Sequence, residues 1–284
     1  MQDEERSVRT GRPRHIRLVR GLAAAALAGL ALAVPIRTLA TGIAPPEPPI
    51  IRIGVPYVPL PTATPEARLY TEEGFELDLA AEIGRHLGKK VELVEVSDEA
   101  GAATLDAGRI DALLARIGDE DPRFSAVEIV PAGYASGLSV AMRSDTNVQS
   151  WQDLAGKTVC VAQANRQAQR LAEAAGAKLL VRRVPALSLV GVRTGECDAA
   201  IHDALLLDRL FTDEQWKKFS ATLPPRDPTR LVVLLPRAQG RLFDRVRGAV
   251  EEMAHASEWT ARRNNWVTTV AFEVYLDQDA PDCH

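Results

Sequence analysis

The sequence predicts an α/β protein of two similar lobes, each a parallel-type sheet with flanking helices, joined by two hinge crossovers. Strand-like and helix-like segments alternate between Ile50 and Ala115, which implies a parallel sheet covered by helices. The alternation restarts at Lys157 and runs to His202. One local pattern also occurs twice, as Gly108-Arg109-Ile110-Asp111-Ala112 and as Gly195-Glu196-Cys197-Asp198-Ala199. In each copy a glycine closes a helix, a turn follows, and Asp-Ala opens an apolar strand.

The elements follow in order. Arg9, Arg12, Arg14, Arg17 and Arg20 precede an apolar run from Gly21 to Ile36. That run is short for a membrane span of about 20 residues and fits the hydrophobic part of an export signal. Residues 1–40 are therefore a signal peptide or, if retained, an N-terminal anchor, with no nearby cysteine to carry lipid. Residues 41–49, rich in proline, form a spacer that supports neither helix nor central strand. Ile50 to Val55 and Lys90 to Val96 are β-branched runs expected as strands, and between them Leu77, Ala80, Ile83 and Leu87 lie on one helical stripe. A helix over Ala102 to Ala107 and a strand over Ile110 to Ala115 complete the first set. The second set comprises strands Lys157 to Ala162, Leu179 to Val184 and Ala199 to His202, with helices Arg166 to Ala175 and Ser188 to Arg193. Tyr134 to Met142 is an extended crossover, and Leu231 to Leu235 is the return. Leu242, Val246, Val250 and Met253 mark an amphipathic helix that packs back on the first lobe. Lobe one is thus expected over 50–136 and 237–270, the hinge over 137–142 and 230–236, lobe two over 143–229, and a tail over 271–284. Two crossing strands permit bending with few backbone changes.

Net charge is −4, from 34 basic and 38 acidic side chains, too mixed to suggest nucleic acid as a partner. The five histidines are scattered, and there is no metal-spaced cluster, phosphate loop or nucleophile elbow, so neither cofactor nor metal is expected.

The chain resembles the family 3 periplasmic solute-binding proteins, the amino-acid-binding components of ABC importers. The resemblance rests on Gly74-Phe75-Glu76-Leu77-Asp78-Leu79-Ala80, on the two Gly-x-x-Asp-Ala turns, on Ser136-Gly137, and on Trp151-Gln152-Asp153-Leu154-Ala155-Gly156-Lys157-Thr158-Val159. It implies a monomeric periplasmic-binding-protein clamshell in the periplasm that closes on a small amino-acid-like ligand or small carboxylate. It also implies a membrane permease as partner.

Within that resemblance, Arg123 matches the arginine that forks onto the ligand carboxylate. Asp203 matches the ammonium partner, and is also placed to cap the helix beginning at Ala204. On that basis Arg123→Ala and Asp203→Ala are each expected to abolish binding and leave the fold intact. Ala164-Asn165-Arg166 stands where the family carries Gly-Ser-Thr before a helix, a position whose backbone N–H groups favour a carboxylate. Arg116-Ile117-Gly118-Asp119-Glu120 replaces a hydroxyl-bearing stretch, so Gly118 lines the site, while Arg116 either favours a second ligand carboxylate or pairs with Asp119 or Glu120. Tyr57 and Tyr70 are the aromatic candidates, and His202 faces the cleft. Cys160 and Cys197 fall where some family members carry cysteines, which implies a disulfide between them and leaves Cys283 free. The alternative reading of Cys160 is a small buried hydrophobe in a strand.

Two rival functions remain. One is a non-transport accessory or sensor protein of the same fold. The other is an enzyme similar to the cyclohexadienyl dehydratases that share this shape.

Overall fold

The computed structural model describes residues 49–60, 68–118, 121, 125–237 and 240–278. The signal segment, most of the spacer, Asp119, Glu120, Arg123 and Cys283 lie outside the described residues.

Among those residues the strands are β1 (Ile50–Val55), β2 (Lys90–Glu95), β3 (Ala112–Ile117), β4 (Glu128–Met142), β5 (Thr158–Ala162), β6 (Lys178–Arg182), β7 (Ala199–Asp203) and β8 (Arg226–Leu235). The helices are α1 (Glu76–Leu87), α2 (Gly101–Asp106), α3 (Arg166–Ala174), α4 (Pro185–Thr194), α5 (Ala204–Leu210), α6 (Arg241–Met253) and α7 (Ala256–Leu276). The alternation expected from the sequence is therefore present, with its boundaries shifted by at most three residues, while the crossover strands begin six and five residues earlier than expected, at Glu128 and Arg226. The long helix α7 was not expected. It carries six residues of the anticipated tail, because exposed Phe272, Tyr275 and Leu276 blur the stripe formed by Trp259, Trp266, Val270 and Val274.

The strands hydrogen-bond in the order β2-β1-β3-β8-β4-β7-β5-β6. Three strands on each side run parallel to one another, whereas β4 and β8 run antiparallel to their neighbours. The sheet is thus mixed and continuous, because the two crossover strands are long enough to pair with each other and with both sides. Reading outward from β8 and β4, β3-β1-β2 on one side matches β7-β5-β6 on the other.

The repeated Gly-x-x-Asp-Ala turn explains part of this symmetry. Gly108 and Gly195 both adopt positive φ, +64° and +80°, which a side chain would resist. Asp111 then accepts from the Arg52 N–H at the start of β1, and Asp198 accepts from the Thr158 N–H at the start of β5, each at 2.8 Å. Each aspartate anchors its own strand to the first strand of its half.

Apolar faces sit where periodicity places them. Leu79, Ala80, Ile83 and Leu87 of α1 are buried with β1, and α6 packs on α1 and β4 through Val246, Val250 and Met253. Helix α7 contacts both halves. It packs on α4 and α5, while the Trp259 indole donates to Ala132 O (2.6 Å) and the Trp266 indole to Glu72 O (3.0 Å).

Cys160 and Cys197 form a disulfide, with Cα atoms 5.9 Å apart, between β5 and the turn entering β7. Helix α4 lies directly over it. A Cβ on Gly191 would stand 2.8 Å from the Cys160 sulfur and 3.1 Å from that of Cys197. Alanine gains up to about 1 kcal/mol of helix propensity over glycine, but overpacking a core costs about 1–3 kcal/mol. Gly191→Ala is expected to lower the melting temperature, and a rise measured by calorimetry would show that α4 can move aside.

Candidate functional site

Residues just beyond the C-terminal ends of four strands enclose a cavity of about 450 Å³. Pro56 and Tyr57 follow β1, Gly118 follows β3, Ala164 to Gln167 follow β5, and Asp203 ends β7. Ligands in open α/β sheets bind at this edge, where loops and helix N-termini converge. Leu138 from β4 and Asp227 and Thr229 from β8 line another part of the wall, and Glu72 to Gly74 before α1 a further part. Asp227 holds φ at +48°, unusual for a residue with a side chain, and its carbonyl accepts from the Gln167 side chain across the cavity (2.7 Å).

Under this cavity lies a charged network. Arg116 Nε donates to Glu76 (2.8 Å) and Nη1 to Asp203 (3.4 Å), so one guanidinium joins α1 to the end of β7. Burial disfavours the charge on Arg116, yet Glu76 and then Asp203 outweigh it and hold its pKa above the ordinary range. Asp203 also accepts from Ser136 Oγ (2.7 Å) and from the N–H groups of Leu205 (3.0 Å) and Leu206 (3.4 Å) as the cap of α5. Burial pushes its carboxyl up from the usual range, against the opposing pull of Arg116 and Ser136. The Tyr134 ring lies 5.4 Å from the Arg116 guanidinium carbon and packs with Phe75 and Trp259 at centroid distances of 5.0 and 4.9 Å.

A second set crosses the cavity. Glu73, whose side chain is 7% exposed, accepts from Asn165 Nδ2 (3.0 Å) and lies 3.1 Å from His202 Nδ1. Asn165 caps α3 through its other end, its Oδ1 accepting from the Ala168 N–H (2.9 Å). Arg170 of α3 reaches Asp98 (3.1 Å).

The expected site residues sort as follows. Asp203, Asn165, Arg166, Ala164, Gly118 and Tyr57 line the cavity. Tyr70 is not among the lining residues; its ring is covered by the guanidiniums of Arg68 and Arg183, at 4.9 and 4.7 Å. His202 is fully buried behind Glu73 rather than facing the cavity. Arg123 lies outside the described residues. Of the two roles the sequence left open for Arg116, its engagement by Glu76 and Asp203 argues against waiting for a second ligand carboxylate, while Asp119 and Glu120 lie outside the described residues. The geometry argues against the expectation that Asp203→Ala leaves the fold intact. The change would delete a helix cap and leave a buried guanidinium with one partner. Sequence reasoning missed Glu72 and Glu73. Their one signal was an acidic pair set immediately before the glycine that opens the α1 signature.

Among the described residues no cluster of three or more His, Cys, Asp or Glu side chains is arranged to hold a metal ion. None of the described helices is long and apolar enough to cross a membrane.

Comparison with known proteins agrees with the architecture. A glutamine-binding protein of Geobacillus stearothermophilus is 27% identical over 48% of this chain and 53% of its own length. The ABC transporter glutamine-binding protein of Bacillus subtilis (strain 168) is 22% identical over 69% of this chain and 72% of its own. The chain spans about half the length of two of the curated relatives it matches. Among solved structures, an ArgBP mutant from T. maritima has 17% identity and a TM-score of 0.51, covering 77% of this chain and 95% of that one. The substrate binding protein of an amino acid ABC transporter has 20% identity and a TM-score of 0.50, covering 76% and 98%. At such identities these structures establish the fold alone. The sequence profile of the bacterial extracellular solute-binding proteins, family 3, matches residues 51–269. With its repeated α/β halves, its two antiparallel crossover strands and the cavity between them, the chain belongs to that family.

Proposed function

We propose that this chain is the substrate-binding protein of an ABC-type importer, working in the periplasm and presenting a small polar, amino-acid-like ligand to a membrane permease. The observation that carries the proposal is the cavity of about 450 Å³ at the carboxyl ends of the strands, lined from both halves of the sheet. Its volume suits a small molecule. In this reading the ligand carboxylate meets the first turn of α3, where backbone N–H groups, the helix dipole and Arg166 favour an anion. Arg123 supplies a further guanidinium by resemblance. The relatives named for amino acids, glutamine and arginine support the ligand class. The N-terminal segment exports the chain and is either removed or kept as a tether.

A thermal-shift screen against amino acids, dicarboxylates and small amines tests this. A ligand at a hundred times its dissociation constant stabilises by about 2.7 kcal/mol, a rise of roughly 5–10 °C at this size. One observation favours the alternative of an accessory or sensor protein: Asp203, the ammonium partner by resemblance, is already matched by Arg116. A flat response across the panel would put that alternative first.

A further inference from the structure

The charge of the cavity wall is lopsided. Among the described residues seven carboxylates and three guanidiniums line it. Two of the three guanidiniums are already matched, Arg116 by Glu76 and Asp203, and Arg170 by Asp98. The third, Arg166, donates to Gln169 Oε1 (3.2 Å).

Among the described residues, two acids on the same wall have no guanidinium or lysine ammonium within ion-pair distance. The Glu73 side chain is only 7% exposed, and its partners among the described residues are an amide and an imidazole. Glu72, its neighbour, turns one carboxylate oxygen into the interior, with no exposed surface and no hydrogen-bond partner among the described residues. Burial raises the pKa of Glu72, and the Arg183 guanidinium works against that rise. Taking carboxylates out of water is costly unless hydrogen-bond donors and positive charge replace the water.

We propose that the Glu72–Glu73 wall seats a cationic group of the ligand, so that the cargo is an amino acid or amine bearing a side-chain ammonium or guanidinium. This rests on the amino-acid-binding reading above. An ammonium or guanidinium carries only donors, which suits the acidic lining of this wall and the remaining lone pairs of Glu73. Glu73 comes from the loop before α1, while Asn165 and His202, which orient it, follow β5 and lie on β7. The seat is therefore complete only when the two halves are juxtaposed. A ligand with a second carboxylate would meet an acidic wall where Arg116 and Arg170 are already paired and Arg166 serves the first carboxylate, and is selected against.

Isothermal titration calorimetry of the purified full chain with L-lysine, L-arginine, L-glutamine, L-glutamate and cadaverine provides the test. L-lysine or L-arginine is expected to bind about a hundredfold more tightly than L-glutamine, the scale of a buried charge pair. Glu73→Gln is isosteric and can keep both contacts, accepting from Asn165 and donating to His202. It should erase most of that preference without lowering the melting temperature of the unliganded protein. Glu72→Gln, at a side chain with one oxygen unbonded among the described residues, supplies the same readout should Glu73→Gln fold poorly. Tighter binding of L-glutamine or L-glutamate would overturn the cationic seat while leaving the amino-acid reading standing. A lysine preference unchanged in both variants would overturn the assignment to Glu72 and Glu73. Binding of no compound would overturn the amino-acid reading, and this inference with it.

Discussion

Replacing Arg116 by leucine is expected to destabilise the protein by about 3–5 kcal/mol, the cost of leaving buried charges uncompensated. Glu76 and Asp203 both face this guanidinium, and their side chains are 10% and 7% exposed. The deficit should depend on pH in one direction. Burial already raises the Asp203 carboxyl, and Arg116 is the largest influence pulling it down, so removing Arg116 raises it further. A carboxyl raised in the folded state favours folding below its unfolded pKa of about 3.9, and that contribution is lost as pH climbs through the folded value. The variant should therefore lose more ground to wild type at pH 8 than near pH 4.5. Paired urea melts at the two pH values measure this. Equal deficits would mean that Asp203 does not feel the missing cation, and a near-neutral variant would remove the network from any account of stability. Converting Glu76 and Asp203 to their amides in the same background should recover part of the loss.

The second large effect concerns the disulfide. Cys160 and Cys197 enclose a separation of 37 residues and are both buried. Chain entropy for a loop of that length gives about 4 kcal/mol. The Cys160→Ala/Cys197→Ala double variant should therefore melt well below wild type, by roughly 8–16 °C at this size. Wild type in strong reductant should move in the same direction. The second half of the sheet should respond first, because the bond ties β5 to the turn entering β7. A shift of under about 2 °C in both measurements would show that β5, β7 and α4 hold their places without it.

These effects lie at different depths of legibility. The strands and most helices were readable because apolar residues recur at periods of two and 3.6, a local property of the chain. Helix α7 was not, since three exposed apolar residues at its end mask the stripe that Trp259, Trp266 and Val270 present to the core. The site was legible in outline. Residues after β1, β3, β5 and β7 do converge, as strand ends in such sheets must, and Asp203 does cap α5. The partners were not legible. Arg116 sits close in sequence to Asp119 and Glu120, yet the side chains it meets are 40 residues before it and 87 after. His202 looked like a cleft residue because strand β7 ends there, but its neighbour Asp203 takes the cavity side while the imidazole turns to Glu73.

By itself the sequence determined the alternation of elements, the two-fold repeat, the glycines that must take positive φ before each Asp-Ala strand, and the cap at Asp203. Each depends on interactions within a few residues or on a repeated pattern. Only the tertiary structure decided that β4 and β8 weld the halves into one sheet. It also decided that Arg116 neutralises the expected ammonium site, and that Glu73 is buried against Asn165 and His202. Charge pairing follows distance in space, and the fold brings together residues 92 and 129 positions apart that no local pattern could associate.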